Sequence, residues 1–319
     1  MVYTTYGSPD VLELKEISIP TPKANEVLLK THAASVNSWD WDLLRGTPFI
    51  VRLVGGGISK PRKKILGCDV AGHIEAVGKD VTKFKTGDEV FGDLSGGNWG
   101  GFAEYVCARE NELALKPAGI SFEQAASLPQ AAVMALQGIR DHGKVKSGQK
   151  VLINGAGGGI GTFAIQMAKS AGAEVTGVDS GNKFETMRSL GADHVIDYTQ
   201  EDFTKNGRQY DLILDVVGHH SIYDYKRSLN ATGMYRMIGG PTPLILQAAF
   251  VAPFITLFSG KKMGILEQET NKDLAYLAEL IETGNLKPFI GKCFPLANTA
   301  EALRYLGEGH SHGKVIITM

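Results

Sequence analysis

The stretch Val151-Leu-Ile-Asn-Gly-Ala-Gly-Gly-Gly-Ile-Gly161 decides the fold. A short apolar run reads as a buried strand and ends in a turn dense with glycine. Beyond it Ile160, Phe163, Ala164, Met167, Ala168 and Ala171 recur at helical offsets and form one apolar face. Strand, glycine turn and helix therefore follow one another directly. The best register of a phosphate-binding fingerprint places Ala156, Gly158 and Gly161 at its working positions. Gly158 lets the backbone approach a pyrophosphate, and Gly161 lets the helix pack closely on the strand. With Gly159 and Ile160, these residues open a helix whose free N–H groups and partial positive charge suit phosphate. Asp179, at the end of the next apolar run, stands where an adenosine ribose would lie. Together these features predict a dinucleotide site.

Outward from this turn, candidate strands at Lys150–Asn154, Glu174–Val178, His194–Asp197, Asp211–Val217 and Met234–Ile238 alternate with helical segments. That rhythm predicts a doubly wound parallel sheet. Residues 1–115 instead read as short strands between glycine turns, and residues 285–319 return to that character after a helical stretch from Asn271 to Thr283. Between the two regimes Ser121 and Gln124 fit a capping box at a helix start. A β region at each end flanking an α/β middle predicts one domain inserted into another, as 319 residues allow.

Composition narrows the function. The 33 Lys and Arg nearly cancel 34 Asp and Glu, leaving no electrostatic footprint for nucleic acid. Three well-separated cysteines, Cys68, Cys107 and Cys293, suit a reducing cytoplasm better than a disulfide framework. No cleavable leader is expected at the N-terminus. The longest apolar stretch, Leu244 to Phe258, is shorter than the roughly 20 residues of a membrane span and carries Pro253.

The chain resembles the medium-chain dehydrogenase/reductase superfamily, in particular its zinc-free quinone and enone reductase branch. The likeness rests on Ser35-Val-Asn37, Asp40-Trp41, Leu66-Gly-Cys-Asp-Val-Ala-Gly72, Val77-Gly78, Phe84-Lys-Thr-Gly-Asp-Glu-Val-Phe91 and Gly101-Phe-Ala-Glu-Tyr105. It continues through the glycine turn, Leu190-Gly-Ala-Asp-His-Val-Ile-Asp-Tyr198 and His312-Gly-Lys-Val315. It implies a GroES-like β-rich catalytic domain from residues 1–117 and 284–319, and a Rossmann domain at 118–283. Where metal-bearing members place zinc ligands, this chain has Asn37, Cys68 and Gln130, so no zinc is expected.

Without a metal to stabilise alkoxide, the resemblance implies NAD(P)H-dependent reduction of a quinone or α,β-unsaturated carbonyl, whose developing charge needs only hydrogen-bond donors and a proton. By family position Asn37 is the candidate donor to the substrate carbonyl or the nicotinamide, and Asp40 the organiser of its loop. Cofactor contacts are expected from Ala156, Gly158, Gly159, Ile160, Gly161, Asp179, Ser180, Lys183 and Tyr198. Val217, Gly218, Ile238 and Gly239 at strand ends, and Lys314, complete the set. Lys183 and Tyr198 resemble a 2′-phosphate clamp and favour NADPH, while Asp179 speaks for NADH; NADPH is the expectation. A homodimer is implied. Two alternatives share these residues, a broader alcohol or aldehyde dehydrogenase and a non-catalytic redox sensor. The segment from Pro241 to Met263 suggests a greasy substrate or a partner surface.

Overall fold

The short strands expected from the sequence assemble into two separate sheets. The computed structural model describes residues 1–319, leaving aside the side chains of residues 54 and 55. The chain first lays down β1 (Glu26–Val36), β2 (Asp69–Val77), β3 (Glu89–Asp93), β4 (Tyr105–Arg109) and β5 (Ala114–Leu115). It then forms β6 (Lys150–Asn154), β7 (Glu174–Asp179), β8 (His194–Asp197), β9 (Tyr210–Asp215), β10 (Leu229–Met237) and β11 (Lys262–Ile265). It closes with β12 (Ile290–Pro295) and β13 (Lys314–Thr318).

One compact unit comprises Met1–Val133 and Glu269–Met319. Its sheet runs β12-β13-β1-β2-β3-β5, with β4 paired on β1. The eleven-residue β1 is long enough to hold β4 along its first half and β13 along its second. Val27, Leu29, Ala34, Val36, Val70, Ile74 and Ile317 fill its core. The second unit, Met134–Gln268, holds an all-parallel sheet in the order β11-β10-β9-β6-β7-β8. Its central strands read Val151-Leu-Ile153 and Leu212-Ile-Leu214, continuously apolar and buried, as strands covered on both faces must be. The order reverses between β6 and β9, so a crevice opens at their carboxyl ends, where ligands bind in such sheets.

The units divide at Val133/Met134 and Gln268/Glu269, whereas the sequence draws the inserted domain wider, from 118 to 283. The difference lies in two helical pieces that pack on the first sheet, which is antiparallel except for the parallel pair β12–β13. The helix Phe122–Ala126 lies against β1 and β2, and the helix Leu274–Glu282 against β5. The capping box forms as expected, Gln124 N–H donating to Ser121 Oγ at 3.2 Å and Ser121 N–H to Gln124 Oε1 at 2.9 Å. The parallel sheet has one strand more than the five expected. β11 is four residues of Lys-Met-Gly-Ile, too short and mixed to announce itself. Before it, the apolar segment folds as two short helices, Thr242–Phe250 and Ala252–Phe258. Among the described residues no helix is long and apolar enough to cross a membrane.

Candidate active site

In the parallel unit, β6 ends at Asn154 and the chain turns through Gly155, whose φ of 82° favours glycine. The helix Gly159–Ser170 then starts with Gly158 as an extended N-cap and no side chain capping it. Gly161 is there by necessity: a Cβ would stand 2.2 Å from the Gly155 carbonyl oxygen. Gly158 is different, since a Cβ there would meet only that same oxygen, at 3.4 Å. Its free side therefore faces open space at an uncapped helix start, where N–H groups look outward. Ala156 is buried behind the turn. This cradle fits a pyrophosphate, and a dinucleotide would be held by the turn and the uncapped first residues of the helix.

Asp179 closes β7 beside the turn. Its Oδ2 accepts the Gly157 N–H at 2.9 Å, its Oδ1 accepts the Ser180 N–H at 2.8 Å, and Lys183 Nζ pairs with it at 3.0 Å. Both members of this ion pair are buried. Lys183 is therefore engaged by Asp179, while Tyr198, whose backbone N–H donates to the Asp179 carbonyl at 3.4 Å, keeps its side chain exposed just past the end of β8. Val217 and Gly218 follow β9, Ile238 and Gly239 follow β10, and the Gly218 N–H donates to the Gly239 carbonyl at 2.9 Å. These expected contacts thus lie on the carboxyl-end loops of neighbouring strands.

In the antiparallel unit, register assembles a second constellation. Ser35 pairs across the sheet with Asp69, and Asp69 with Asp93. Val36 pairs with Val315, so the next residues, Asn37 and Lys314, come side by side. Lys314 was expected among the cofactor contacts; its Nζ donates to Asn37 Oδ1 at 2.8 Å and stands 3.6 Å from Asp69 Oδ2. Asn37 Nδ2 donates to Asp69 Oδ2 at 2.9 Å, and its other amide hydrogen meets the weak acceptor Cys68 Sγ at 3.5 Å and, at the limit, the Ser35 carbonyl at 3.5 Å. Asp69 also accepts from Ser35 Oγ at 2.8 Å.

Asp40 lies buried beneath the loop that follows β1. Its carboxylate accepts the N–H groups of Asn37 and Gly67, each at 2.8 Å, and so fixes the backbone that presents Asn37 and Cys68. Complete burial pushes its pKa up to about 7 against the pull of those two bonds. Trp41 packs against Gly307 and under Arg45, while Trp39 is exposed.

The set does not fit a catalytic zinc. Asn37 turns its amide nitrogen toward Cys68, Gln130 approaches Asp69 only through its backbone N–H at 3.4 Å, and the Lys314 ammonium supplies the local cation. Cys68, Asp69 and Asp93 do bring donor atoms within 4.8 Å of one another. Burial, reinforced by the Asp69 charge, lifts the Cys68 thiol well above its ordinary range and Asp93 up to about 7, which favours their protonated forms.

From sequence alone Ser35, Asp69 and Asp93 have no role of their own. Polar residues facing one another at the ends of three otherwise apolar strands are the signal that marks them, and it appears only once register is known.

Comparison with known proteins identifies relatives of the whole chain. Residues 23–118 match the alcohol dehydrogenase GroES-like domain, and residues 190–317 the zinc-binding dehydrogenase model. The chain is 32% identical to the 2-methylene-furan-3-one reductase of Solanum lycopersicum, over 99% of this chain and 77% of the relative. It is 33% identical to the mitochondrial NAD(P)H oxidoreductase RTN4IP1 of Bos taurus, over 100% of this chain and 88% of that one. The structure of the quinone oxidoreductase from Coxiella burnetii superposes with a TM-score of 0.88 at 31% identity, covering 100% of this chain and 98% of that one. The chain belongs to the medium-chain dehydrogenase/reductase superfamily, in its quinone oxidoreductase and enone reductase branch.

Proposed function

We propose that the protein is an NAD(P)H-dependent, zinc-independent reductase of quinones or α,β-unsaturated carbonyls. The observation that carries this reading is the Lys314–Asn37–Asp69 chain, in which the amide of Asn37 stands at a metal-ligand position and the Lys314 ammonium lies beside it. Lys314 donates to the amide oxygen of Asn37 and so polarises its Nδ2–H groups. One of those is spent on Asp69; the other, held by the weak sulfur acceptor of Cys68, is the donor for the substrate oxygen. A polarised donor stabilises the charge that develops on an enolate or hydroquinone oxygen. Asp40 holds the Asn37 backbone in place, and the final proton comes from water. When bound, the nicotinamide supplies the hydride. Gly158, Gly159, Ile160 and Gly161 hold the pyrophosphate.

At the 2′ position the pair Asp179–Lys183 supports NADH, against the NADPH expected from Lys183 and Tyr198. Lys183 already neutralises a buried carboxylate, and a 2′-phosphate would set a further double charge beside Asp179. The kcat/KM for NADH should exceed that for NADPH, and Asp179→Ser should move the ratio toward NADPH by about tenfold or more, since it frees Lys183 for phosphate. A wild-type preference for NADPH overturns this assignment alone. The reading also places the protein in the cytosol as a homodimer; three free cysteines and the unpaired outer edge of β11 support it.

The test of the function itself is oxidation of both reduced cofactors with 9,10-phenanthrenequinone and a panel of enones, before and after chelation. Turnover that survives chelation is expected. Turnover of alcohols alone, or turnover abolished by chelator and restored by zinc, overturns it.

A further inference from the structure

Between Arg45 and Lys64 every charged residue is a cation. Arg45, Arg52, Lys60, Arg62, Lys63 and Lys64 stand there without one Asp or Glu, in a chain whose net charge is −1. The segment belongs to the first unit and runs from the end of the helix Ser38–Arg45 toward Gly67, whose N–H donates to Asp40. It is a braced loop. Val51 is buried among Leu43, Leu44 and Leu66. The Arg52 Nε–H donates to the Gly46 carbonyl at 2.8 Å, its guanidinium lies 4.4 Å over the Tyr6 ring, and the Tyr6 hydroxyl donates to the Gly57 carbonyl. The Gly57 N–H closes on the Arg52 carbonyl at 2.9 Å and the Arg62 N–H on the Gly56 carbonyl at 2.7 Å, while Lys63 reaches the Gly97 carbonyl.

This bracing leaves two kinds of side chain outside. Phe49, Ile50, Leu53 and Ile58 are 52 to 63% exposed. Arg45, Lys60, Arg62 and Lys64 are exposed as well. Arg45 stacks over Trp41 at 4.9 Å, and the side chains of Lys60, Arg62 and Lys64 make no hydrogen bond or ion pair among the described residues. Bulky apolar tips flanked by free cations fit an occupant that is apolar in its depth and anionic at its rim. A nucleic acid supplies phosphates but leaves Ile50, Leu53 and Ile58 in water, since its bases stack on flat rings. A bilayer supplies both, acyl chains for the tips and phosphates for the cations, as where clustered Lys and Arg on an amphipathic segment bind anionic lipid.

We propose that the loop 45–64 is an interfacial contact for anionic phospholipid bilayers: Phe49, Ile50, Leu53 and Ile58 enter the acyl layer, and Arg45, Lys60, Arg62 and Lys64 hold the lipid phosphates. The contact inserts side chains only, so it requires no spanning helix. The β11 edge assigned to the homodimer lies in the other unit and takes no part. The helix Ser38–Arg45, about 12 Å long at its rise of roughly 1.5 Å per residue, joins the contact to Asn37. On the function proposed above, on which this consequence rests, the protein takes a quinone or enone that is itself dissolved in the bilayer.

The full chain should co-sediment with phosphatidylcholine vesicles containing about a third phosphatidylglycerol, and far less with pure phosphatidylcholine or at high salt, where charge is screened. The variant Phe49→Ser/Leu53→Ser/Ile58→Ser should bind the anionic vesicles at least about tenfold more weakly, because its apolar tips are gone. Lys60→Glu/Arg62→Glu/Lys64→Glu should bind them at least about a hundredfold more weakly, no better than it binds pure phosphatidylcholine. Tm serves as the folding control and should match wild type in both, because every substituted side chain is exposed. Wild-type protein that sediments with neither vesicle overturns the proposal. So does an apolar variant that binds as wild type does, or wild-type protein held as tightly by a single-stranded oligonucleotide, which would make the loop a general polyanion site. Should the apolar variant misfold, the charge variant decides alone: unchanged discrimination between the two vesicle types refutes the contact. Vesicle binding by a protein inert toward quinones and enones in lipid-free buffer supports the contact and overturns only the proposed function, so the two fail separately.

Discussion

Each unit buries a carboxylate at a strand end, and the two are balanced by different means. Asp215, closing β9 in the parallel unit, receives neutral donors: Asn154 Nδ2 at 2.8 Å and the Tyr235 hydroxyl at 2.8 Å. Burial raises its pKa, and these bonds pull it partly back. Asp69, opening β2 in the antiparallel unit, meets an ammonium as well as Ser35 and Asn37. A network of neutral donors suffices to hold strands and loops together. A cation buried beside a polarised amide is costly to place and returns little stability for itself, so its presence marks chemistry. The first network is architecture and the second is equipment.

The largest effect that can break this contrast is expected at Asn37. Asn37→Ala should lower kcat for quinone or enone reduction by about 10²–10³-fold, the usual loss for one oxyanion donor, with little change in NADH binding measured by fluorescence. Unchanged turnover on every accepted substrate removes Asn37 from the mechanism. Lys314→Met should cost roughly 3 kcal/mol in urea unfolding, because it strands the Asp69 charge, and should lower kcat by about tenfold through the loss of polarisation. Adding Asp69→Asn should restore most of the stability and none of the kcat. If both return together, the cluster is architecture too. Tyr235→Phe should cost about 1–3 kcal/mol by leaving Asp215 short of a donor, with kcat unaltered. A kcat that falls with it would erase the distinction between the two networks.

The smallest effect concerns Asp93, whose Oδ2 is buried without a partner. Burial and the Asp69 charge lift its pKa from 3.8 to about 7, so the folded state keeps a proton that the unfolded state releases. Its contribution to stability is complete below the unfolded pKa and is lost as pH rises through about 7. Wild-type Tm should decline between about pH 5 and pH 8, and Asp93→Asn should flatten part of that decline by a few degrees. A pH profile identical in the two proteins sinks this assignment.

The contrast also explains what could be read from sequence. The glycine turn was legible because strand, turn and helix are local, and Gly158 and Gly161 act through their immediate neighbours. The loop role of Asp40 was legible for the same reason, being three residues from Asn37. Lys314 enters the expected cofactor contacts through the family resemblance alone; its bond to Asn37 spans 277 residues and depends on the β1–β13 register, which no local pattern encodes. The helix pair 242–258 was opaque because residues apolar on both faces leave no period to read. Asp179 and Lys183 were recognised singly, but their pairing follows from a burial that spacing alone does not reveal.

The pairing of β1 with β13 has a consequence for synthesis. A ribosome releases the whole of 134–268 before it makes residue 314, so the parallel unit can fold while the first sheet still lacks the strand beside Ser35 and Val36. Until that strand docks, Asp69 has no counter-charge and Asn37 no polarising neighbour. On the proposed function, the nascent polypeptide completes its glycine turn before it completes the cluster around Asn37.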